Sequence, residues 1–137
     1  MKPILIDTNA YAAFKRGDSE AVFIVQRAPL VAVNSVILGE LLGGFALGLR
    51  EEANRRELVS FLNSPRVVVL PLDRHTADNY AVVYSTLKKA GRPIPTNDMW
   101  IAASAIQHRL AIYSFDRHFR SVPGLQTGES VVELEFG

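Results

Sequence analysis

The sequence predicts a three-layer α/β/α fold with a central, mainly parallel sheet of four to five strands. Short apolar runs, several of them rich in β-branched residues, alternate along the chain with longer segments that have helical periodicity. Strands that are apolar on both faces are typical of parallel sheets covered by helices on each side. In such folds the crossovers are right-handed, and sites lie beyond the carboxyl ends of the strands.

The first 65 residues predict two strands and four helices. Apolar runs mark the strands, whereas Gly17, a capping Asp18 or Ser19, and the sequence Asn63-Ser64-Pro65 delimit helices. In chain order we expect a strand at 3–7, helices at 8–16 and 18–27, a strand at 30–33, and helices at 34–47 and 51–62.

The rest of the chain predicts three strands and two helices. The segment RVVVLPL at 66–72 is rich in β-branched residues, as strands are, and Asp73 is placed to cap the helix that follows. We then expect a loop at 88–97, a helix at 98–108, a strand at 110–114 and a last, shorter strand at 131–134.

The composition is that of an ordinary globular domain. Hydrophobic residues make up 48% of the 137 residues and charged residues 21%, so we expect one folded domain over 1–137. The lack of cysteine excludes disulfides and thiolate zinc sites. Because the N-terminal apolar run is too short for a signal peptide and no apolar stretch could span a bilayer, we expect a soluble cytoplasmic protein. The formal net charge of +1 neither indicates nor excludes nucleic-acid binding.

Four acidic residues adjoin the apolar elements. Asp7 ends the first strand and Asp116 follows the strand at 110–114, so both should lie at the same edge of the sheet. Glu40 sits in an apolar helix without a basic neighbour at helical spacing, and Asp98 begins a helix with an almost wholly apolar face. Taken alone, Asp98 is explained equally well as a helix cap, and Glu40 is better explained as a solvated or salt-bridged side chain.

Taken together, the four acids indicate a metal site. Four carboxylates converging in one cleft would repel one another unless a cation lay between them. Hard divalent ions such as Mg²⁺ prefer carboxylate oxygens and keep waters that substrate phosphates can replace. Such a site suits metal-assisted hydrolysis of phosphodiester bonds.

Four segments of the chain resemble, in order, those of the PIN domain family: ILIDTNAY, VNSVILGEL, TNDMWIAASAI and IYSFDRHF. The resemblance covers essentially the whole chain and is greatest to the small VapC-type toxin ribonucleases of type II toxin–antitoxin systems. It implies a metal-dependent endoribonuclease that uses Mg²⁺ or Mn²⁺, cleaves RNA, forms a homodimer and is bound by a cognate antitoxin protein. The metal-binding and catalytic acids that it implies are Asp7, Glu40, Asp98 and Asp116, supported by Thr8, Asn9 and Ser114. Ser114 stands where the family usually has threonine, which keeps the hydroxyl.

Contacts with RNA and with the antitoxin are also expected near these acids. Arg92 and Arg117 are candidates for RNA phosphates, although a solvated charged surface would have the same composition. The stretch 38–49 is rich in apolar residues for a solvent-facing helix, which favours a protein partner. It contains the candidates for an antitoxin groove, Leu41, Leu42 and Phe45. An antitoxin arginine could pair with the acids and displace the metal.

Other functions remain open. One alternative is a catalytically weak PIN-like module that binds RNA or protein. Another is a metal-dependent deoxyribonuclease, because nothing in the sequence identifies a group that reads the 2′-hydroxyl. An aspartyl-phosphate phosphatase is disfavoured, since Asn9 stands where that chemistry commonly places a second acid. The three histidines form no metal-ligand pair, and we expect only His118 near the site, without a catalytic role.

Overall fold

The computed structural model describes residues 1–136, in which five strands form one parallel sheet. The strand order is β3-β2-β1-β4-β5, and each of the four pairings is parallel. The strands are β1 (Ile4–Ile6), β2 (Val31–Asn34), β3 (Val67–Leu70), β4 (Ala111–Tyr113) and β5 (Thr127–Gly128).

Seven α-helices within residues 1–136 flank this sheet, which confirms the predicted three-layer α/β/α class. A 3₁₀ turn, Arg117–Ser121, follows β4. The helices are α1 (Thr8–Lys15), α2 (Ser19–Arg27), α3 (Ser35–Leu47), α4 (Glu51–Leu62), α5 (Arg74–Lys89), α6 (Thr96–His108) and α7 (Val131–Phe136). None of them is long and apolar enough to cross a bilayer.

Local capping explains why most helix bounds agree with the sequence. Gly17 adopts a left-handed φ of 82° between α1 and α2, a conformation that side chains disfavour. Asp18 Oδ1 accepts the Ala21 N–H at 2.9 Å and so begins α2. Asn34 Oδ1 accepts the Ile37 N–H at 2.9 Å and so begins α3.

The predicted strand at 131–134 is wrong, because these residues begin helix α7. The Ser130 hydroxyl accepts the Glu133 N–H at 3.2 Å, and Glu133 Oε1 accepts the Glu129 N–H at 3.1 Å. These two hydrogen bonds at the start of a helix outweigh the β preference of two adjacent valines. The last strand is instead the two-residue β5, which pairs with β4.

The chain reverses its direction of growth across the sheet at β1. It adds β2 and β3 on one side of β1, then returns to place β4 and β5 on the other side. Every residue of β1 and β4 is buried, and the register pairs Ile6 with Tyr113. The Asp7 N–H donates to the Tyr113 carbonyl oxygen at 3.0 Å, so the residues that follow these two strands are neighbours. Crevices at such reversals are the usual binding sites of open α/β sheets.

Candidate active site

Asp7 lies directly after β1 and is only 5% exposed. Its Oδ1 accepts the Thr8 N–H at 2.9 Å, and its Oδ2 accepts the Ser114 hydroxyl at 2.7 Å. Burial raises the pKa of this carboxyl, the nearby charge of Asp116 raises it further, and the two hydrogen bonds act in the opposite direction. The Asp7 carboxyl is therefore fixed in orientation by hydrogen bonds but is poorly solvated.

Asp98 lies in the first turn of α6 and is also 5% exposed. It is not the N-cap, a position that Pro95 occupies. Its Oδ2 lies 3.0 Å from His118 Nδ1. Burial raises the pKa of Asp98, the hydrogen bond with His118 lowers it, and the charges of Asp116 and Asp7 raise it. The carboxylates of Asp7, Asp98 and Asp116 are therefore close enough for their negative charges to repel one another.

Asp116 begins the 3₁₀ turn that follows β4. Its Oδ1 accepts the His118 N–H at 2.9 Å, and its side chain is about one-third exposed. The Asp116 N–H donates to Ser114 Oγ at 2.9 Å, while the same hydroxyl donates to Asp7. Ser114 thus ties the residues at the ends of β1 and β4 together. Asn9 joins them, because its Oδ1 accepts the Phe115 N–H at 3.1 Å.

Glu40 is joined to these acids through neighbouring side chains. Its Oε1 accepts the Thr8 hydroxyl at 3.2 Å, and its Oε2 accepts the Asn97 amide at 2.8 Å. Thr8 adjoins Asp7 and Asn97 adjoins Asp98 in the chain, so Glu40 projects from α3 to the rim of the same crevice. The half-buried carboxylate is therefore neither freely solvated nor salt-bridged within residues 1–136.

The structure adds Asn97 to the site, and it places His118, which the sequence already predicted near the site, within hydrogen-bond distance of Asp98. Asn97 holds Glu40, and His118 lies against two of the acids. The ligand atoms of Asp98, Asp116 and His118 all lie within 4.8 Å of one another, a spacing at which they could hold one ion. In the sequence, only the two-residue spacing from Asp116 indicated that His118 lies near the site. The 3₁₀ turn is what brings the His118 ring against Asp116, the residue that caps the turn.

The expected RNA contacts are both exposed. Arg92 lies in the loop before α6. Arg117 lies on the 3₁₀ turn, where its guanidinium is 3.7 Å from Glu129 Oε1. Both arginines are close in sequence to acids of the crevice, but in the part of the chain that the structure describes neither forms an ion pair with those acids.

Two of the three expected antitoxin residues, Leu41 and Phe45, line part of a cleft between α1, α3 and α4. Leu41 is buried and Phe45 half-buried, and both face a cavity of about 310 Å³. Leu42 follows Leu41 on α3 and is half-buried, but it does not line this cavity. The cavity is also lined by polar and charged residues, among them Tyr11, Lys15, Arg16, Arg50, Asn54 and Glu57. Within residues 1–136, the Tyr11 hydroxyl is the one buried side-chain polar atom without a hydrogen-bond partner.

Comparisons with known proteins point to one family. A model of the PIN domain family matches residues 4–125 of the chain. Ribonuclease VapC4 of Mycobacterium tuberculosis (strain ATCC 25618 / H37Rv) is 33% identical over 94 residues, which cover 69% of this chain and 72% of that protein.

Two solved structures illustrate the similarity of fold. VapBC-5 of M. tuberculosis, a member of the VapBC family of toxin–antitoxin systems, is similar at a TM-score of 0.69 and 26% identity, covering 92% of this chain and 95% of that chain. DNA-bound VapBC of Salmonella typhimurium is similar at a TM-score of 0.81 and 24% identity, covering 93% and 98%.

Proposed function

The chain belongs to the PIN domain family, and we propose that it is an endoribonuclease that acts as the toxin of a toxin–antitoxin pair. Similarity to a protein named a ribonuclease and to a member of the VapBC toxin–antitoxin systems supports both parts of the proposal. The observation that carries it is the meeting of Asp7, Asp98 and Asp116 in the crevice between the carboxyl ends of β1 and β4.

The residues of the crevice fit a divalent cation, and we propose that Asp7, Glu40, Asp98 and Asp116 hold Mg²⁺ or Mn²⁺. Burial raises the pKa values of Asp7 and Asp98, and the charge of Asp116 raises both further, so the protein alone disfavours their ionised forms. A cation would offset this repulsion, and carboxylate oxygens are the ligands that hard ions prefer. When bound, such an ion supplies a water of lowered pKa and neutralises charge on the scissile phosphate.

For Asp7 and Glu40, the chain's own contribution is to orient the carboxylates without neutralising them. Ser114 donates to Asp7, while Thr8 and Asn97 donate to the two oxygens of Glu40. All three donors are uncharged, so they fix the directions of the carboxylates and leave the negative charge available to a cation. A lysine or arginine in their place would compete with the metal.

We propose that Arg92 and Arg117 bind phosphates of the RNA. Arg117 is 74% exposed and its ion pair with Glu129 is a surface pair, which typically stabilises a protein by less than about 1 kcal/mol. Its guanidinium can therefore exchange Glu129 for a phosphate at little cost. The two arginines flank the acids in the chain, one before α6 and one after β4.

The activity is tested by incubating the protein with structured RNAs and single-stranded DNAs in Mg²⁺, in Mn²⁺ and in excess chelator. RNA should be cleaved with either metal and spared in chelator. Asp7→Asn and Asp98→Asn should each remove nearly all cleavage, whereas Asp78→Asn, at an exposed position on α5, should leave it unchanged.

Three outcomes would redirect the proposal. Full cleavage in excess chelator contradicts the metal mechanism. Cleavage of DNA alone indicates a metal-dependent deoxyribonuclease. Binding of RNA without cleavage in either metal indicates a PIN-like binding module, which the presence of all four acids disfavours.

For the antitoxin we propose a binding surface at the α1/α3/α4 cleft, with Leu41, Leu42 and Phe45 as its apolar wall. The cleft is adjacent to Glu40 along α3, so a segment lying in it can place an arginine against the acids and displace the metal.

Co-purification with the cognate antitoxin tests this surface. Leu42→Glu should weaken antitoxin binding, because it puts a charge on the apolar wall, while Val132→Glu, at an exposed position on α7, should not. Antitoxins with arginine-to-alanine changes or a truncated tail should inhibit less, and inhibition by the intact antitoxin should weaken as Mn²⁺ is raised. Normal binding by a folded Leu42→Glu variant places the antitoxin elsewhere.

We also propose that the chain acts as one domain and forms a homodimer in the cytoplasm, which its family membership supports. Light scattering after size exclusion should give twice the chain mass of 15.1 kDa. A single-chain mass at high micromolar concentration contradicts the dimer.

A further inference from the structure

His118 lies between two carboxylates of the crevice. Its Nδ1 is 3.0 Å from Asp98 Oδ2 and 3.0 Å from Asp116 Oδ1. The 3₁₀ turn fixes this placement, because Asp116 caps the turn through the His118 N–H and the next residue, Phe119, is fully buried in the core. The ring itself is about half exposed, so it is held at its backbone end and open to solvent at the site.

A hydrogen bond between Nδ1 and Asp98 Oδ2 accounts for one of these two contacts, and the contact with Asp116 Oδ1 remains. An imidazole Nδ1 carries one hydrogen, and both partner oxygens are acceptors, so one N–H would have to be shared between them. Asp116 Oδ1 already accepts the backbone N–H of the same residue. A nitrogen lone pair directed at an ion between the carboxylates would use the same three atoms without sharing a hydrogen.

The spacing of the three atoms matches that of metal ligands. Neighbouring ligands of an octahedral ion at about 2.1 Å lie about 3.0 Å apart, and both nitrogen–oxygen distances have that value. All three atoms lie within 4.8 Å of one another, which accommodates adjacent or opposite positions for the two oxygens.

We propose that His118 Nδ1 is a ligand of the ion that Asp98 and Asp116 hold. The centre then has mixed nitrogen and oxygen ligands and favours first-row transition ions such as Mn²⁺ and Co²⁺ over Mg²⁺. The reason is that an imidazole nitrogen binds Co²⁺ well and Mn²⁺ more weakly, whereas Mg²⁺ prefers oxygen ligands and retains its waters. This inference rests on the metal site of the proposed function and adds a nitrogen ligand to its four acids.

The test is direct detection of the nitrogen on Mn²⁺ bound to the tag-free protein. Pulsed electron paramagnetic resonance should show ¹⁴N modulation from an imidazole in the parent protein and in His75→Ala, where an exposed histidine on α5 is removed. His118→Ala should lose the modulation. Its Mn²⁺ and Co²⁺ affinities, measured by titration, should fall by more than the roughly 10–100-fold that losing a residue hydrogen-bonded to a ligand costs, while its Mg²⁺ affinity should change much less.

A second variant separates a ligand from an orienting hydrogen-bond partner. His118→Gln keeps a hydrogen-bond donor but has no imidazole, so it should resemble His118→Ala in both the modulation and the metal preference. Parent-like Mn²⁺ affinity and selectivity in His118→Gln would overturn the inference, as would tighter binding of every ion by His118→Ala. Circular dichroism and thermal melting establish that each variant is folded.

Failure of this inference can be told apart from failure of the proposed function. Mn²⁺ that binds the parent protein, requires Asp98 and shows no ¹⁴N modulation overturns the nitrogen ligand and leaves the ribonuclease intact. Modulation in a protein that cleaves no RNA overturns the ribonuclease and leaves the ligand intact. A parent protein that binds no Mn²⁺ overturns both.

Discussion

Removing the Ser114 hydroxyl should destabilise the metal-free protein and should do so in a pH-dependent way. This hydroxyl donates to Asp7 Oδ2 at 2.7 Å and accepts the Asp116 N–H at 2.9 Å, and both Ser114 and Asp7 are buried. Ser114→Ala deletes both hydrogen bonds and leaves a buried carboxylate with one donor fewer.

The expected loss follows from the two bonds. A hydrogen bond to a charged group is worth about 1.5–3 kcal/mol and a neutral one about 0.5–1.5 kcal/mol. Since the Asp116 N–H lies at a partly exposed residue and can bind water instead, we expect a total of about 2–3 kcal/mol near pH 7. In a chain of this size that lowers the melting temperature by roughly 6–12 °C. Ser114→Thr keeps the hydroxyl and should lose much less.

The pH dependence identifies the bond to Asp7. The Ser114 hydrogen bond lowers the pKa of Asp7, which burial has raised, so Ser114→Ala raises the folded-state pKa still further. The difference in stability between the two proteins is therefore complete above the variant's folded pKa. It shrinks as the pH falls through that value to the parent's folded pKa, because a protonated carboxyl needs no charged-state donor.

Urea denaturation in chelator, at neutral pH and at several acidic values, measures this difference. Equal losses at all pH values would mean that Asp7 is not the partner that matters. A loss below about 0.5 kcal/mol at neutral pH would mean that water replaces the hydroxyl, and that the crevice is wetter than its burial implies.

Three further predictions concern the same crevice. The pKa values of Asp7 and Asp98 are raised in the folded protein, so the folded protein binds more protons than the unfolded chain. The stability of the metal-free protein should therefore fall as the pH rises from about 4 through those folded pKa values. Denaturant titrations measure this, and a stability that rises over the same pH range contradicts the prediction. Mn²⁺ should raise the melting temperature of the parent protein and do much less for Asp7→Asn, which should be at least as stable as the parent without metal; equal shifts place the ion elsewhere. Asn97→Ala should slow RNA cleavage by roughly tenfold or more with the fold intact, because Glu40 loses the donor that orients it; unchanged rates would show that Glu40 is oriented by Thr8 alone.

The position of the acids was predictable because it depends on chain direction. An apolar run that ends in Asp7 and another followed by Asp116 become neighbours whenever the two strands are parallel and adjacent, and apolar strands of this kind favour that arrangement. Helix bounds were predictable where a capping side chain acts within three residues, as Asp18 and Asn34 do.

The C-terminal part was less predictable because tertiary contacts decide it. Strand β5 has two residues, too few for any periodicity, and exists because Gln126 and Gly128 accept hydrogen bonds from the backbone of the β4 segment. Gly128 also lets α7 approach the sheet, since a Cβ there would lie 2.6 Å from Glu133 Cβ. Only the Ser130–Glu133 spacing signalled the helix, and the two valines between them favoured a strand.

The roles of His118 and Asn97 depend on distances between segments that are remote in the chain. His118 contacts Asp98, 20 residues away in the chain, and Asn97 contacts Glu40, 57 residues away, and neither pairing leaves a pattern in a single sequence.

The sequence does indicate why these contacts matter. Two buried carboxylates, at the ends of a fully buried strand and at the start of a largely buried helix, destabilise a protein unless they are oriented and compensated. Thr8 and Ser114 donate to Asp7 without adding charge, and among the described residues His118 is the ionisable side chain that hydrogen-bonds Asp98. The cation that we propose would offset the repulsion that remains.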